Sequence, residues 1–483
     1  MLKRRKSKFK RPRNRLSTCS ARYPKSEGAA LRLGASLRCL VLFGLAFFVY
    51  SLAWPGSSAL SERRFETVLL QEDKSLGELE RAKSVPNHFA RESRQRLTSN
   101  KIDQDLLSND FLKVNFSVTG RPSIKSAEDF SSLVTGEDDG KFFSQTHDGS
   151  RLYYSFDLEL QRTADELLRS YSVPWGAIVA MDPKTGRVLA ASSYSSAEPS
   201  AKDLVTQADF NAASLFKIVT AAAVVEEEGM AAEDKIFYRG GNYTLSRRNY
   251  LPDSRRDRRS MSLEDALAKS CNPAFGRLGL DLSSKHSLLN YAEQFGFNRK
   301  IPFEVPVQVS RMNIGNDAYN LARTAAGFGQ VKISPLHAAM IAAGIANEGT
   351  MMRPFFLDKI VNKSGQVVYE SAPAPWTYPI LSSTADELMD MMQLTIDKGT
   401  ARRVFRRYRS GLLRDIEIAA KTGTLRGKDK RGTNHWFVAA LPANDPEIAI
   451  AVLVVDPGGA RINGSALGGK FLNYYYKSKK TRA

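Results

Sequence analysis

Apolar positions fall along this chain in three textures. Between Leu33 and Trp54 they are almost continuous, with no charge from Cys39 to Trp54. With the turn before it included, and Arg38 reaching back to the interface, this run supplies the ~20 residues a bilayer core requires. From about Ser57 to Ser150 the pattern is polar and weakly periodic. Glu66 to Ala90 has helical spacing there, and Phe111 to Gly120 reads as a strand followed by a turn. At Arg151 regular patterning begins. Leu152 to Leu158 alternates as a strand does, and Leu160, Ala164, Leu167 and Leu168 mark one face of a following helix. The apolar runs Trp175 to Asp182 and Arg187 to Ser192 flank Pro183-Lys-Thr-Gly186, which predicts a hairpin.

Beyond the hairpin, Asn211 to Glu226 is apolar on nearly every side, which predicts a buried helix with Asn211 as cap and an end near Gly229. Ser262-Leu-Glu-Asp opens another helix with a capping-box pattern, and Pro273 stops it, so Ser270 and Asn272 are expected at a helix-to-loop corner. A glycine-rich loop over Thr324 to Gln330 precedes a second buried helix, Ile333 to Ala346. Ala385 to Lys398 is amphipathic, with Leu388, Met389, Met392 and Leu394 expected to face inward. Three late strands, Ile416 to Thr422, His435 to Leu441 and Ile448 to Asp456, suit an antiparallel sheet, the first two joined by a loop from Leu425 to Gly432. Helices before and between strands make the class α+β. No internal repeat is present.

Charge sharpens the N-terminal reading. The net charge of +19 suggests nucleic acid until its distribution is considered. Residues 1–30 hold eleven Lys or Arg against Glu27 alone, so this tail supplies +10 of the total. Beside an apolar span such a tail marks topology and anionic lipid contact rather than nucleic-acid binding, and it stays cytoplasmic. A cleaved signal peptide ending near Ser57-Ser58-Ala59 is the alternative, but the basic region is long for one. The expected organisation is a basic cytoplasmic tail over 1–31 and a transmembrane anchor over 32–55. A juxtamembrane pedestal over 56–150 and a single extracytoplasmic domain over 151–475 would follow. Cys19, Cys39 and Cys271 do not make a disulfide framework, and five scattered histidines suggest neither a metal site nor a cofactor.

Candidate chemistry sits in three short segments. Ser214 and Lys217 lie three apart and so project from one side of their helix. A serine hydroxyl is a weak nucleophile until a base removes its proton, and a desolvated lysine can be neutral enough to do so. The helix N-terminus adds backbone N–H groups for a developing oxyanion. Ser270-Cys-Asn272 offers a hydroxyl and an amide at a corner. Lys421-Thr422-Gly423-Thr424 joins a cation suited to a substrate carboxylate, two hydroxyls, and a glycine that lets a backbone approach. Each segment alone has an ordinary reading: a chance spacing, a helix end, a solvated strand end.

Together and in this order, S-x-x-K, S-x-N and K-T-G resemble the motif set of penicillin-binding proteins and serine β-lactamases. The chain is similar to a monofunctional, class B-like penicillin-binding protein carrying a transpeptidase domain. Further segments carry the likeness: Phe156 to Gln161, Met181 to Ala190, Ser334 to Ala339, Asn347 to Thr350 with Arg353-Pro354, Lys398 to Ala401 and His435 to Val438. Two positions depart from it. Ala212-Ala213 stands where the family often has Pro-Gly, and Gly329-Gln-Val331 where it has Gly-Gln-Gly.

The resemblance implies a serine β-lactamase/penicillin-binding transpeptidase-like fold, an antiparallel sheet flanked by helices plus an all-helical lobe, preceded by one transmembrane helix. It implies D,D-transpeptidase chemistry on peptidoglycan stem peptides of the lipid-linked precursor and nascent wall. Ser214 would be the nucleophile, Lys217 its base and Ser270 a proton relay. Asn272 would hold the substrate amide. Lys421, Thr422, Gly423 and Thr424 would bind the carboxylate end, with the Ser214 and Thr424 N–H groups as oxyanion hole. β-Lactams would acylate Ser214. Residues 57–150 are too short and motif-poor for a glycosyltransferase domain, which implies a separate membrane glycosyltransferase as partner. The alternatives are a D,D-carboxypeptidase, a β-lactamase, and a β-lactam sensor or scaffold. The arginines at 402, 403, 406, 407 and 409 read either as a solvated surface or as a contact for anionic wall precursor.

Overall fold

A computed structural model describes residues 114–116, 122–124 and 135–482 apart from 139, 202, 283 and 428–430. The expected anchor and the helical spacing at 66–90 lie outside these residues. Among the described residues no helix is long and apolar enough to cross a membrane. Within the stretch from Phe111 to Gly120, Val114–Phe116 is a strand and pairs antiparallel with Pro122–Ile124.

The core is built on one five-stranded antiparallel sheet. Its strands in chain order are β1 (Trp175–Met181), β2 (Val188–Tyr194), β3 (Ala419–Arg426), β4 (Thr433–Leu441) and β5 (Ile448–Asp456), arranged in space as β3-β4-β5-β1-β2. The β1–β2 hairpin and the three late strands are those the sequence predicts. Strand β5 shows why the pattern is apolar throughout rather than alternating. Ala449, Ala451, Leu453 and Val455 enter one core cluster, while Ile448, Ile450, Val452 and Val454 enter the other. A sheet covered on both faces needs apolar residues at every position.

Two sets of helices cover those faces. On the face with the smaller side chains lies α3 (Pro335–Ala346), every residue of it buried and capped by the Ser334 hydroxyl, which accepts from the His337 N–H. Beside it lie α1 (Lys217–Glu228) and α4 (Ser382–Asp397). In α4 the buried positions include Leu388, Met389 and Met392 as expected. Leu394 is only half-buried, and Thr395 and Ile396 take the inward places because the helix rotates that face toward β3. On the opposite face the helix Leu158–Ser170 and α5 (Gly464–Arg482) pack with Phe437, Leu467 and Phe471.

A second five-stranded sheet joins Gly136–Asp138, Lys141–Gln145, Arg151–Tyr154, Leu357–Val361 and Val367–Glu370. It runs across residue 150, where the texture of the sequence changes. The lobe expected to be all-helical is not: Lys235–Tyr238 pairs with Arg259–Ser262 and closes the excursion between them, and Phe210–Asn211, Gln330–Ile333 and Arg311–Asn313 form a three-stranded sheet. These strands are two to four residues long, too short for a periodic signal.

Candidate active site

The segment before Ser214 departs from the expected capped helix. Asn211 ends a short strand, and its carbonyl accepts from the Trp436 indole N–H at 2.8 Å, so it does not cap by its side chain. A single 3₁₀ turn, Ala213–Phe216, carries Ser214 and hands over to α1 at Lys217. Ala213 has φ +51°, a left-handed conformation that an alanine adopts at a cost of about 1 kcal/mol. This is the position where the family often has glycine, so the departure seen in the sequence is a locally strained backbone. Gly327 packs beneath the turn: at φ +84°, a Cβ on it would sit 2.0 Å from the Ala213 carbonyl oxygen.

The corner at 270–273 also differs in detail. The first helix, Leu263–Ala268, is capped by Ser262, whose hydroxyl accepts from the Asp265 N–H. Ser270 takes φ +55°, and α2 (Asn272–Asp281) starts at once with Pro273 in its first turn. The proline therefore opens the second helix, where its missing N–H costs nothing. K-T-G lies within strand β3 rather than at its end, because the strand runs on to Arg426 as the sheet's edge.

Lys217 is the centre of the site and is fully buried. Its Nζ lies 2.8 Å from Ser214 Oγ, 2.8 Å from Asn272 Oδ1 and 2.6 Å from the Ala326 carbonyl. The Asn272 amide is oriented by donating from Nδ2 to the Tyr243 carbonyl at 2.9 Å, which turns Oδ1 toward the lysine. A neutral amine has two N–H donors and one lone pair. Protonated, Lys217 donates to all three oxygens; neutral, with Asn272 and Ala326 taking its two donors, it turns its lone pair to the Ser214 hydroxyl. Burial pushes the Lys217 pKa well below its usual value, and the nearby positive Lys421 pushes in the same direction.

Lys421 is likewise fully buried and lies behind the pocket wall rather than in it. Its Nζ donates to Ser270 Oγ at 3.1 Å and to the Thr422 carbonyl at 2.8 Å, and burial brings its pKa down to about 7. Ser270 thus takes its hydrogen bond from Lys421. Because the Thr422 carbonyl meets that amine at the free edge of β3, the two-residue period of the strand turns the Thr424 backbone N–H to the same side.

These groups converge on a cavity of about 510 Å³. Ser214, Ser270, Asn272, Thr422 and Thr424 line it; Lys217, Lys421 and Gly423 support it from behind. A Cβ on Gly423 would meet the Ala212 carbonyl and Trp436 at 3.3 Å, so the glycine lets β3 lie against the turn that carries Ser214. All three motifs are therefore brought together.

Some participants were not singled out from the sequence. Thr400 Oγ1 is hydrogen-bonded to Thr422 Oγ1, and its own N–H donates to the Ala268 carbonyl, tying K-T-G to the helix before Ser270. It belongs to Lys398 to Ala401, a segment of the family likeness, and that was its available signal. Asn272 as a partner of Lys217, and the Ala326 carbonyl, had none: the first is a matter of amide orientation, the second of backbone. His435, Phe328 and Asn463 also line the cavity.

A serine hydroxyl 2.8 Å from a buried lysine amine, with the K-T-G strand edge facing it across the cavity, is the arrangement of an acyl-transferring serine enzyme of the S-x-x-K type. The family profile "Penicillin binding protein transpeptidase domain" matches residues 176–474, and the chain belongs to that family, on its class B-like branch. It is similar to peptidoglycan D,D-transpeptidase PbpA of Mycolicibacterium smegmatis, 30% identical over 413 residues, or 74% of this chain and 78% of the relative. It is 25% identical to stage V sporulation protein D of Bacillus subtilis over 67% of this chain and 52% of that one. Among solved structures, penicillin-binding protein A of M. tuberculosis, as a ceftriaxone acyl-enzyme complex, superposes with a TM-score of 0.58 at 24% identity, over 68% of this chain and 80% of that one. The D,D-transpeptidase domain of an Eggerthella lenta peptidoglycan glycosyltransferase gives 0.59 at 24% identity, over 77% and 96%. These two show a shared fold.

The turn under Ser214 depends on Gly327. Gly327→Ala is expected to lower unfolding stability by about 2 kcal/mol or more, read as a shift in the urea midpoint. An unchanged midpoint would show that the turn moves freely.

Proposed function

We propose that this chain is a peptidoglycan D,D-transpeptidase that works through a Ser214 acyl-enzyme. The observation that carries this is the 2.8 Å contact between Lys217 Nζ and Ser214 Oγ, in a place where the amine's other two partners are carbonyls. In acylation Ser214 Oγ attacks the penultimate D-Ala carbonyl, and its proton passes to Lys217. The oxyanion forms between the Ser214 and Thr424 N–H groups, each such donor being worth roughly 10²-fold in rate. The tetrahedral intermediate collapses by breaking the peptide bond, and the leaving D-Ala amine takes up a proton, with Ser270 positioned as relay. In the second half a neighbouring stem's amine attacks the ester, an amide forms, and Ser214 Oγ recovers its proton. The donor's carboxylate meets the Thr422 and Thr424 hydroxyls, with the charge of Lys421 one layer behind. A β-lactam presents the same acyl group and stops at the ester.

The same reading supplies a setting. The basic tail and the apolar run at 33–54 support an anchored enzyme with residues 1–31 in the cytoplasm and its catalytic domain outside. A domain that only cross-links needs strands made elsewhere, which supports a membrane glycosyltransferase as partner. Affinity purification of the full chain in detergent is expected to carry such an enzyme; its repeated absence would count against the partnership.

Fluorescent penicillin is expected to label the wild type stably over hours, and Ser214→Ala to reduce labelling by more than about 10³-fold. Label that decays within minutes would mark a hydrolase, and an unlabelled folded wild type would remove the enzyme assignment.

The pH dependence follows from the two lysines. Only neutral Lys217 can accept the Ser214 proton, so acylation falls as pH drops through its lowered pKa. Lys421 loses its charge above about 7 in the empty site, so the rate falls again on the alkaline side. A bound carboxylate stabilises the charged form and moves that limb upward. The acylation rate of free enzyme is therefore expected to be bell-shaped, with the alkaline limb at higher pH under saturating substrate. A rate still climbing at about pH 10 would indicate a lysine of ordinary basicity.

A further inference from the structure

Beside the catalytic cavity lies a second one of about 510 Å³, and the two share His435 and Asn463 as walls. The far walls of the second carry Arg407, Arg461 and Lys470, with Asp456 as the one carboxylate. Among the described residues, the ion pairs that form do not include any of these three cations. Asp456 is already engaged: its Oδ1 accepts from the Gly458 and Ala460 N–H groups at 2.7 and 2.9 Å. Lys470 is held over the Tyr171 ring, its Nζ 5.4 Å from the centroid, and Arg407 Nε donates to the Val404 carbonyl at 3.2 Å. The cations therefore come from two separate segments, around α5 and before β3, and Lys470 and Arg407 are steadied without being neutralised. The arginine cluster in the sequence divides accordingly: Arg409 pairs with Asp397, and Arg407 turns to the cavity.

The geometry points to this cavity as the subsite that receives a carboxylate of the acceptor peptide, the second substrate of the transfer. The inference rests on the transpeptidase reading above. A reaction with two peptide substrates needs two places for them. The donor's carboxylate end is served by Thr422 and Thr424 with Lys421 behind, on the wall formed by β3. The second cavity opens into the same space past His435 and Asn463, so a peptide anchored there directs its amine toward the acyl ester on Ser214. Asp456 in the wall disfavours a dianionic phosphate and leaves a singly charged carboxylate as the better occupant.

The test uses the purified full chain with a thioester donor and two amine acceptors, Nα-acetyl-L-lysyl-D-alanine and its C-terminal carboxamide. Ser214 takes the acyl group and releases the thiol. The lysine side-chain amine then attacks the ester, forming an isopeptide bond and returning the proton to Ser214. The ratio of the two transfer products is internal to each sample and does not depend on the folded fraction. Wild type is expected to favour the carboxylate acceptor by about fivefold, the scale of partly exposed ion pairs. Arg461→Gln combined with Lys470→Gln is expected to bring the ratio close to one. Equal transfer to both acceptors by wild type, or a ratio kept by the double variant, overturns the subsite. Penicillin labelling of the same wild-type sample separates the two readings. Labelling without discrimination sinks the subsite alone, whereas no labelling sinks the enzyme assignment and the subsite with it. Acylation with no transfer to either amine overturns both the subsite and the transpeptidase.

Discussion

The proposed chemistry depends on keeping one lysine uncharged inside the protein. An ammonium at the position of Lys217 would be stripped of water with no carboxylate beside it, and the cost of such burial is several kcal/mol. Three oxygen acceptors and the Phe275 ring, 5.7 Å from Nζ, offset only part of that cost. The amine's neighbours are two carbonyl oxygens and a hydroxyl, and the closest other charge, on Lys421, is of the same sign. The same arrangement that makes the charged form expensive leaves the neutral form fully hydrogen-bonded. The basicity needed to activate a serine is thus a property of the packing around α1, not of the lysine alone.

The rest of the fold can be read as what holds that arrangement. A sheet buried on both faces gives β3 a fixed place at its edge. Small residues on one face let α1 and α3 lie close, so that the 3₁₀ turn with Ser214 reaches the free backbone of β3. Ser270 and Asn272 come from the start of α2, whose axis is set by Phe275 and Leu278 in the same core. Asn272 then couples lysine to loop: through Oδ1 it meets Lys217, and through Nδ2 the Tyr243 carbonyl. The two lysines are not joined by a hydrogen bond, and the positive charge of Lys421 adds to burial in lowering the pKa of Lys217.

The elements that alternate or repeat over many residues were legible in the sequence. The β1–β2 hairpin, β4, β5, α3 and α4 were each marked by a long apolar or amphipathic run, continuous in β5 and α3 and periodic in α4. The three motifs were legible as short patterns of residue type, and the structure brings them to one cavity. What stayed hidden was whatever depends on a single backbone angle or a carbonyl. Asn211 looks like a cap by residue type, yet the chain needs it as a strand end under Trp436. Lys421 looks like a strand-end cation open to the site, yet β3 turns its side chain inward and presents Thr422 and Thr424 to the cavity. Leu394 lost its inward place to Thr395 and Ile396 by the small rotation a helix makes when it packs against a strand.

The hold of Trp436 on the Asn211 carbonyl, and the lie of β3 against the turn behind Ser214, have a bearing on time as well as geometry. The nucleophile emerges from synthesis some two hundred residues before the strands that shape its turn. On the proposed mechanism, until β3 and β4 arrive Ser214 has no oxyanion donor opposite it, and its turn lacks the indole that pins it. A partly made chain therefore carries an inert serine. Reactivity is switched on by the last third of the polypeptide, when the domain that must control it is nearly complete.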